Sequence, residues 1–365
     1  MFTVMLVLGI ESSCDETAAS VVEDGRRLLS NAIASSMDLH IQYGGVVPEV
    51  AARSHIEVIM PLIQESLDTA FPDLAGKRHE QWAKIDAIAV TYGAGLGGSL
   101  LIGVLTARTL AITYSKPLYA INHVEGHLYA NFITETSLPD YVLPADQPEF
   151  PVLGLIVSGN HSQLVLFRDH FDYTLLGQTH DDAIGEAFDK VAKMLGLPYP
   201  GGPSVSKKAL EGNPMAFQLP KAKLAGKYDF SFSGLKTAVL RLAQEQIGED
   251  FTFLSTGLAD RLSESQKADI AASFQRVAIE TVVDKTLLAY EEFQPRTVII
   301  GGGVASDREL RRQLSERLPL PIAYTYSKLC TDNGAMVAAL GSFKHLRGAP
   351  TADPYTLDIS PSLSM

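Results

Sequence analysis

Two histidines stand four residues apart in the stretch "NHVEGHLYAN", residues 122–131, with Glu125 between His123 and His127. On a helix this spacing puts both imidazoles on one face, one turn apart, so both can reach one metal ion. A zinc protease needs its glutamate directly after the first histidine, as H-E-x-x-H. Here Glu125 follows His123 by two positions, and at about 100° per residue it points roughly 200° away from it. General-base duty at a shared metal is therefore not expected of Glu125. A third ligand must come from elsewhere. The segment "CTDNGAM", residues 330–336, offers Asp332 at the start of the last helical stretch, where a helix N-cap is the plain alternative role. A site with three protein ligands leaves positions open for substrate or water.

The elements that must position these residues alternate between strand and helix. "MLVLGIES" reads as a strand with "AASVVE" as its hairpin partner. "PEVAARSHIEVIMPLIQESLDTA" has helical periodicity with Pro48 near its start, "IDAIAVTY" is a strand, and "GSLLIGVLTARTLAITYS" is a largely buried helix. "PLYAIN" is the strand that delivers the histidine helix. This order argues for α/β architecture with a mainly parallel sheet. "TETSLPDYVLPADQPEF", residues 134–150, lacks periodicity and is rich in Pro, Asp and Ser, so it reads as a linker. The pattern then restarts with "PVLGLIVS", a "GNH" turn, "SQLVLFRD" and "YTLLGQ". It runs through an acidic-start helix, "DDAIGEAFDKVAKMLG", further helices between Ser233 and Phe293, and "RTVIIGGGVAS", "DRELRRQLSERL" and "IAYTYS". The hairpins "LGIESSCDETAASVV" and "LIVSGNHSQLVLF" share one plan, which suggests an internal duplication. Two such turns facing each other offer backbone N–H groups to a phosphate.

Three glycine clusters punctuate the chain. "GAGLGG", residues 93–98, satisfies G-x-G-x-x-G, yet the next strand ends in Asn122 and not in the acid that would hold a ribose. Close packing between strand and helix, or a wall of the active cleft, is the better reading. "YPGGPS", residues 199–204, and "GGGVASD", residues 301–307, are loops through which a backbone can approach a flat or anionic ligand. No P-loop motif occurs.

With 365 residues, two domains are expected. No run of 18 apolar residues or basic leader occurs, so neither a membrane span nor a signal peptide is expected. Two cysteines far apart, Cys14 and Cys330, fit a reducing cytoplasm. The net charge of −12 gives no bulk attraction to nucleic acid. A local basic face would have to supply it, with "KAKLAGK" (221–227) and "DRELRRQLSER" (307–317) as candidates, or else a partner.

Taken together, "ESSCDET", "YGGVVPEVAARSH", "HVEGH", "GEAFDKVAKMLGL-YPGG", "FSFSGLKT" and "CTDNGAM" resemble the TsaD family over nearly the whole chain. These are transferases that make N6-threonylcarbamoyladenosine in tRNA. The resemblance implies a two-lobed actin-like ATPase, sugar kinase and Hsp70 (ASKHA) fold with a central cleft. Residues 1–132 with 328–347 would form a first lobe carrying the metal. Residues 151–327 would form a second lobe carrying adenylate-binding loops, with 133–150 as linker and 348–365 as tail. It also implies one divalent metal, iron or zinc, on His123, His127 and Asp332. Adenylate contacts are implied at Ile156, Val157, Ser158, Gly159, Asn160, Asp189, Gly202 and Asp307, and an acidic pair important for activity at Asp15 and Glu16. The implied donor is threonylcarbamoyl-AMP, and the acceptor is adenosine 37 in the tRNA anticodon loop. The implied partners are a paralogous TsaB-like subunit, a small TsaE-like ATPase and a TsaC-like enzyme that makes the adenylate. The chain departs from the family's pattern at Asn160, where a second glycine is usual, at Ala94, where proline is usual, and at Asp307, where asparagine is usual. Asn160 tolerates left-handed backbone angles, so its turn is expected to survive. Asp307 places a negative charge where an amide would meet the nucleotide. A metalloprotease, an ATP-binding scaffold without transfer chemistry and a noncatalytic partner subunit are the competing readings.

Overall fold

The computed structural model describes residues 4–320 and 322–365, so the head of the apolar opening segment, residues 1–3, and Pro321 lie outside the described residues. The chain divides into two units, Met1–Pro148 with Tyr324–Met365, and Glu149–Ala323. In chain order the first unit holds β1 (Leu6–Glu11), β2 (Glu16–Glu23), β3 (Arg27–Ser35), α1 (Met37–Ile41), α2 (Pro48–Ala70), α3 (Arg78–Lys84), β4 (Ala87–Gly93), α4 (Gly97–Tyr114), β5 (Leu118–Asn122), α5 (His123–Tyr129) and β6 (Glu135–Thr136). The second holds β7 (Val152–Val157), β8 (Ser162–Asp169), β9 (Asp172–Gln178), α6 (Ile184–Met194), α7 (Gly201–Ala209), α8 (Ser233–Gln246), α9 (Leu258–Arg261), α10 (Glu264–Phe293), β10 (Thr297–Gly301), α11 (Arg308–Arg317) and β11 (Ile322–Tyr324). The chain then returns to the first unit with α12 (Ser327–Cys330) and α13 (Gly334–Leu346).

The two sheets follow one plan. The first has the order β5-β4-β1-β2-β3-β6 and the second β11-β10-β7-β8-β9. In each, three strands form an antiparallel meander, and the first strand of that meander pairs in parallel with a later strand on its other edge. The duplication is thus fuller than two hairpins. Its third strand in the first unit, β3, was not foreseen because its buried face is Leu28, Ser30 and Ala32. Small and polar residues give no hydrophobic alternation to read. The "YPGGPS" loop likewise opens into helix α7.

The core of the first unit packs α2 and α4 against the sheet through Leu8, Ile10, Ile59, Ile63, Val90 and Val104, among others. Helix α4 has the length and apolar composition of a membrane span, yet it packs on β4 and α2. On the opposite side α13 lies directly on β1 and β2. A Cβ built on Gly9 would meet the Gly334 carbonyl oxygen at 2.2 Å and the Ala338 nitrogen at 2.4 Å. Backbone therefore rests on backbone, with no side chain between. Gly95 makes a similar approach to the turn after β1: its φ is 155°, a Cβ there would meet the Ser13 oxygen at 2.5 Å, and Leu96 N–H donates to that oxygen. Gly95 of "GAGLGG" thus serves internal packing.

The last residues lie along the first unit. Arg108 donates to the carbonyls of Pro354, Tyr355 and Leu357. Ser360 N–H donates to Tyr92, Gly95 N–H donates to Pro361, and Asn122 Nδ2 donates to Ser364. Gly9→Ala is expected to lower stability by about 3 kcal/mol or more, because neither neighbour is a movable side chain. Gly159→Ala, where a Cβ meets nothing within 4 Å, is expected to change it little. Thermal unfolding of the two variants side by side checks this.

Candidate metal centre

Helix α5 starts abruptly at the end of β5. Asn122 makes this possible: its Oδ1 accepts the N–H groups of Val124 and Glu125, satisfying donors that a helix start leaves unpaired. His123 and His127 are both buried, their ring centroids 4.7 Å apart and the rings steeply inclined at 76°. Helix α13, held on the sheet by the Gly9 contact, packs against α5. Its N-cap is Asn333, whose Oδ1 accepts Met336 N–H. Asp332 is therefore not the cap. Its Oδ1 sits 3.5 Å from His123 Nε2 and 3.3 Å from His127 Nε2. The three ligand atoms lie within 4.8 Å of one another.

The residues fit a metal ion. Both ring nitrogens of His127 are buried without a hydrogen-bond partner, a costly arrangement unless something satisfies them. A cation held at Nε2 does so. Two imidazoles and a carboxylate suit zinc or ferrous iron and leave coordination positions open. Glu125 behaves as its helical phase requires. It is buried and stands outside this group, and burial pushes its carboxyl up to about 7, only partly opposed by the charge of Lys344 on α13.

Charges around the site are strongly coupled. Burial alone would lower the His123 imidazole, but the Asp332 and Glu11 carboxylates outweigh it and hold it up at about 9. Glu11 is fully buried at the end of β1. Burial would raise it, and the His123 charge and hydrogen bond bring it below the usual carboxylate value. Glu16, at the start of β2, is pushed up to about 9, first by burial and then by the negative charges of Asp332 and Asp15. Glu16 therefore holds a proton at neutral pH in the metal-free site. The Asp15 carbonyl is anchored by Ser36 through both its N–H and its hydroxyl. Glu11 escaped the sequence reading. The signal available was an acid ending an otherwise apolar strand in "LVLGIES".

The adenylate-binding candidates all lie in the second unit. Ile156 and Val157 are fully buried inside β7, so their side chains are core and only Ser158, Gly159 and Asn160 reach the surface. The turn at Asn160 is kept, closed by the Ser158 N–H donating to the His161 carbonyl, and it needs no positive φ at Asn160. Asp189 on α6 accepts Gly201 N–H and so ties α6 to the "YPGG" turn. Gly302, with φ of 93°, brings the "GGGVASD" loop against the end of β7, where a Cβ would meet the Val157 oxygen at 2.4 Å. Asp307 is the N-cap of α11: its Oδ1 accepts Leu310 N–H, and its Oδ2 accepts Ser206 Oγ and Gln275 Nε2. The carboxylate is committed within the protein, which accounts for an acid at this position. A Cβ on Gly159 or Gly202 would meet no protein atom within 4 Å, so internal packing does not demand glycine at either.

His123 and Glu16 both carry raised values in the metal-free protein, and both shifts act with the same sign. The folded form keeps protons that the unfolded chain gives up near 6.5 and 4.5, so their stabilisation is lost as pH rises toward about 9. The Tm of chelator-treated protein is expected to fall steadily from pH 6.5 to 9. Loading with zinc is expected to flatten the profile, because the cation replaces the protons. A flat profile without metal contradicts these assignments.

The sequence model of the TsaD family, described as tRNA N6-adenosine threonylcarbamoyltransferase, matches residues 27–339. A protein of that name from Thermomicrobium roseum is 47% identical over 351 residues, covering 94% of this chain and 93% of the relative. Another from Symbiobacterium thermophilum is 49% identical over 341 residues, covering 93% and 91%. Among solved structures, T. kodakarensis HypF aligns with a TM-score of 0.56 at 14% identity, over 94% of this chain and 48% of the HypF chain. At that identity the likeness speaks for the fold alone, which is that of the ASKHA group. The fold and the two sequence comparisons agree: the chain belongs to the TsaD family.

Proposed function

We propose that this chain transfers the threonylcarbamoyl group of threonylcarbamoyl-AMP to N6 of adenosine 37 in tRNAs that read codons beginning with A, releasing AMP. The observation that carries the reading is the His123, His127 and Asp332 cluster, set in a chain of TsaD sequence. The metalloprotease alternative fails on spacing, since Glu125 stands two residues after His123 and not directly after it, and it is not part of the His123, His127 and Asp332 cluster. A nucleotide-binding scaffold without transfer chemistry has no use for two buried imidazoles gathered with a carboxylate, one of them without a hydrogen bond at either nitrogen.

In this reaction the adenine amine attacks the carbamoyl carbon, the bond from that carbon to the phosphate oxygen breaks, and AMP leaves with the electron pair. The amine is a poor nucleophile because its lone pair is delocalised into the ring. Positioning and charge stabilisation must therefore supply most of the rate. His123, His127 and Asp332 would hold one divalent ion, iron or zinc, and that ion would supply Lewis-acid polarisation and offset negative charge on the donor. Of the acidic pair, Asp15 or Glu16 takes the amine proton. The turn Ser158–Asn160 and Gly202 contact the adenylate through exposed backbone, and Asp189 accepts from ribose hydroxyls. Asp307 acts by holding the glycine loop in place. Position 37 lies in a single-stranded loop, where a base can be splayed out and presented.

The tRNA must be attracted by more than this chain. The lysines of "KAKLAGK" are largely neutralised, Lys221 by Glu280 and Asp284 and Lys227 by Glu292. In α11, Arg312 is paired with Glu309 and Glu316, and Arg317 with Asp284. A paralogous TsaB-like subunit, a TsaE-like ATPase and a TsaC-like adenylate supplier complete the system. The face for the paralogue is the apolar stripe of α2 and α4: Ile56, Met60, Leu101, Leu105 and Ile112 are exposed there on two helices packed side by side. The two free cysteines accord with a cytoplasmic location.

The test incubates the chain and its partners with synthetic threonylcarbamoyl-AMP and unmodified tRNA and detects the modified nucleoside by mass. His123→Ala and Asp15→Asn are each expected to lose about 100-fold or more in rate. Full activity of both Asp15→Asn and Glu16→Gln removes the proton-acceptor role. Leu105→Asp is expected to abolish co-elution with the TsaB-like subunit in size-exclusion chromatography while leaving metal content unchanged.

A further inference from the structure

The buried Glu11 side chain has no role in the scheme above. Among the described residues no lysine or arginine pairs with it, so the His123 imidazole is left to offset a buried carboxylate that is otherwise costly. Its surroundings are fully specified. Oε1 accepts Ser13 N–H at 2.6 Å and Oε2 accepts the Thr91 hydroxyl at 2.5 Å. Oε2 also faces His123 Nδ1 at 3.3 Å, and Ser13 Oγ lies 3.1 Å from the same nitrogen. The opposite edge of the ring, Nε2, is the one turned to Asp332. His127 has no such support, since its Nδ1 has no hydrogen-bond partner.

We propose that Glu11 is a positioning residue that fixes the proton of His123 on Nδ1 and so keeps the Nε2 lone pair aimed at the metal position. An ionised carboxylate can only accept, so the nitrogen facing it must donate. Ser13 N–H and the Thr91 hydroxyl hold both oxygens and leave the carboxylate no freedom to turn. His123 is thereby the oriented ligand of the pair, and His127 completes the site without a partner behind it. The inference rests on the metal-site reading above and extends it to a fourth side chain that never touches the ion. Supporting partners of this kind typically change metal affinity by about 10- to 100-fold when lost.

The discriminating substitution is Glu11→Gln. Ser13 N–H must still meet an oxygen, so the new amide presents its carbonyl there and its NH2 group on the Thr91 side. Of the two amide hydrogens, one is satisfied by the Thr91 hydroxyl and the other points at His123 Nδ1. That nitrogen must then accept, and the proton moves to Nε2, where it blocks the metal. An amide in place of a carboxylate is known to trap a histidine in the wrong tautomer in this way.

The experiment titrates chelator-stripped full-length protein with zinc against a chromophoric competitor, for wild type, Glu11→Gln, Thr91→Val and His123→Ala. Circular dichroism and Tm are recorded for each. The expected result is a zinc affinity reduced at least tenfold in Glu11→Gln, at folded signal and near-native Tm, with a smaller loss in Thr91→Val. Wild-type affinity in folded Glu11→Gln, together with a large loss in His123→Ala, overturns the proposal while leaving the metal site intact. Wild-type affinity in His123→Ala overturns the metal-site reading itself. A second measurement needs no variant. In zinc-loaded wild type, 15N-histidine NMR is expected to show His123 protonated at Nδ1 and metallated at Nε2; the reverse assignment overturns the proposal even if Glu11→Gln does not fold.

Discussion

Backbone against backbone, where α13 crosses β1 at Gly9 and Gly334, is the contact on which the rest of the first unit depends. No side chain separates the helix from the sheet at that point, so the depth of α13 is set by van der Waals contact and cannot drift. The helix in turn fixes Asn333 as its cap and leaves Asp332, one residue earlier, at the end of a rigid rod. From there its carboxylate reaches two imidazoles that lie about two hundred positions earlier in the chain. Long-range assembly of this kind costs loop-closure entropy only once, because the second unit is built within the intervening segment.

Much of this was legible from residue types alone. The spacing of His123 and His127, the phase that turns Glu125 away and the strand-helix alternation all follow from periodicity. Asp332 was offered as third ligand from its place at the start of the last helical stretch, and the TsaD resemblance implied the full set. What could not be read is instructive. Strand β3 hides because its buried face is Leu, Ser and Ala. Asp307 looked like a charge at a nucleotide because its partners, Ser206 and Gln275, are far away in sequence. Ile156 and Val157 were named as contacts, and the burial of their side chains in the strand leaves only their backbone to a ligand. Glu11 was passed over because a single acid at a strand end carries no spacing; only the fold shows that His123 stands behind it.

The electrostatics of the chain explain a division of labour. An acidic protein with its lysines and arginines mostly paired has little field to offer a polyanion, and the short reach of screened charges makes local pairing decisive. The same chain concentrates acidic groups around His123: Glu11 is held ionised by the imidazole, whereas Glu16 answers the neighbouring negative charges by keeping its proton.

The final residues carry a practical corollary. The Ser364 carbonyl receives Asn122 Nδ2, and the other end of the same Asn122 amide begins the helix that bears both histidines. A fusion or affinity handle joined after Met365 therefore hangs one residue from the brace of the metal helix, and any pull on it is transmitted to the orientation of His123. For a preparation whose metal occupancy matters, the opposite end of the chain is the place for such a handle.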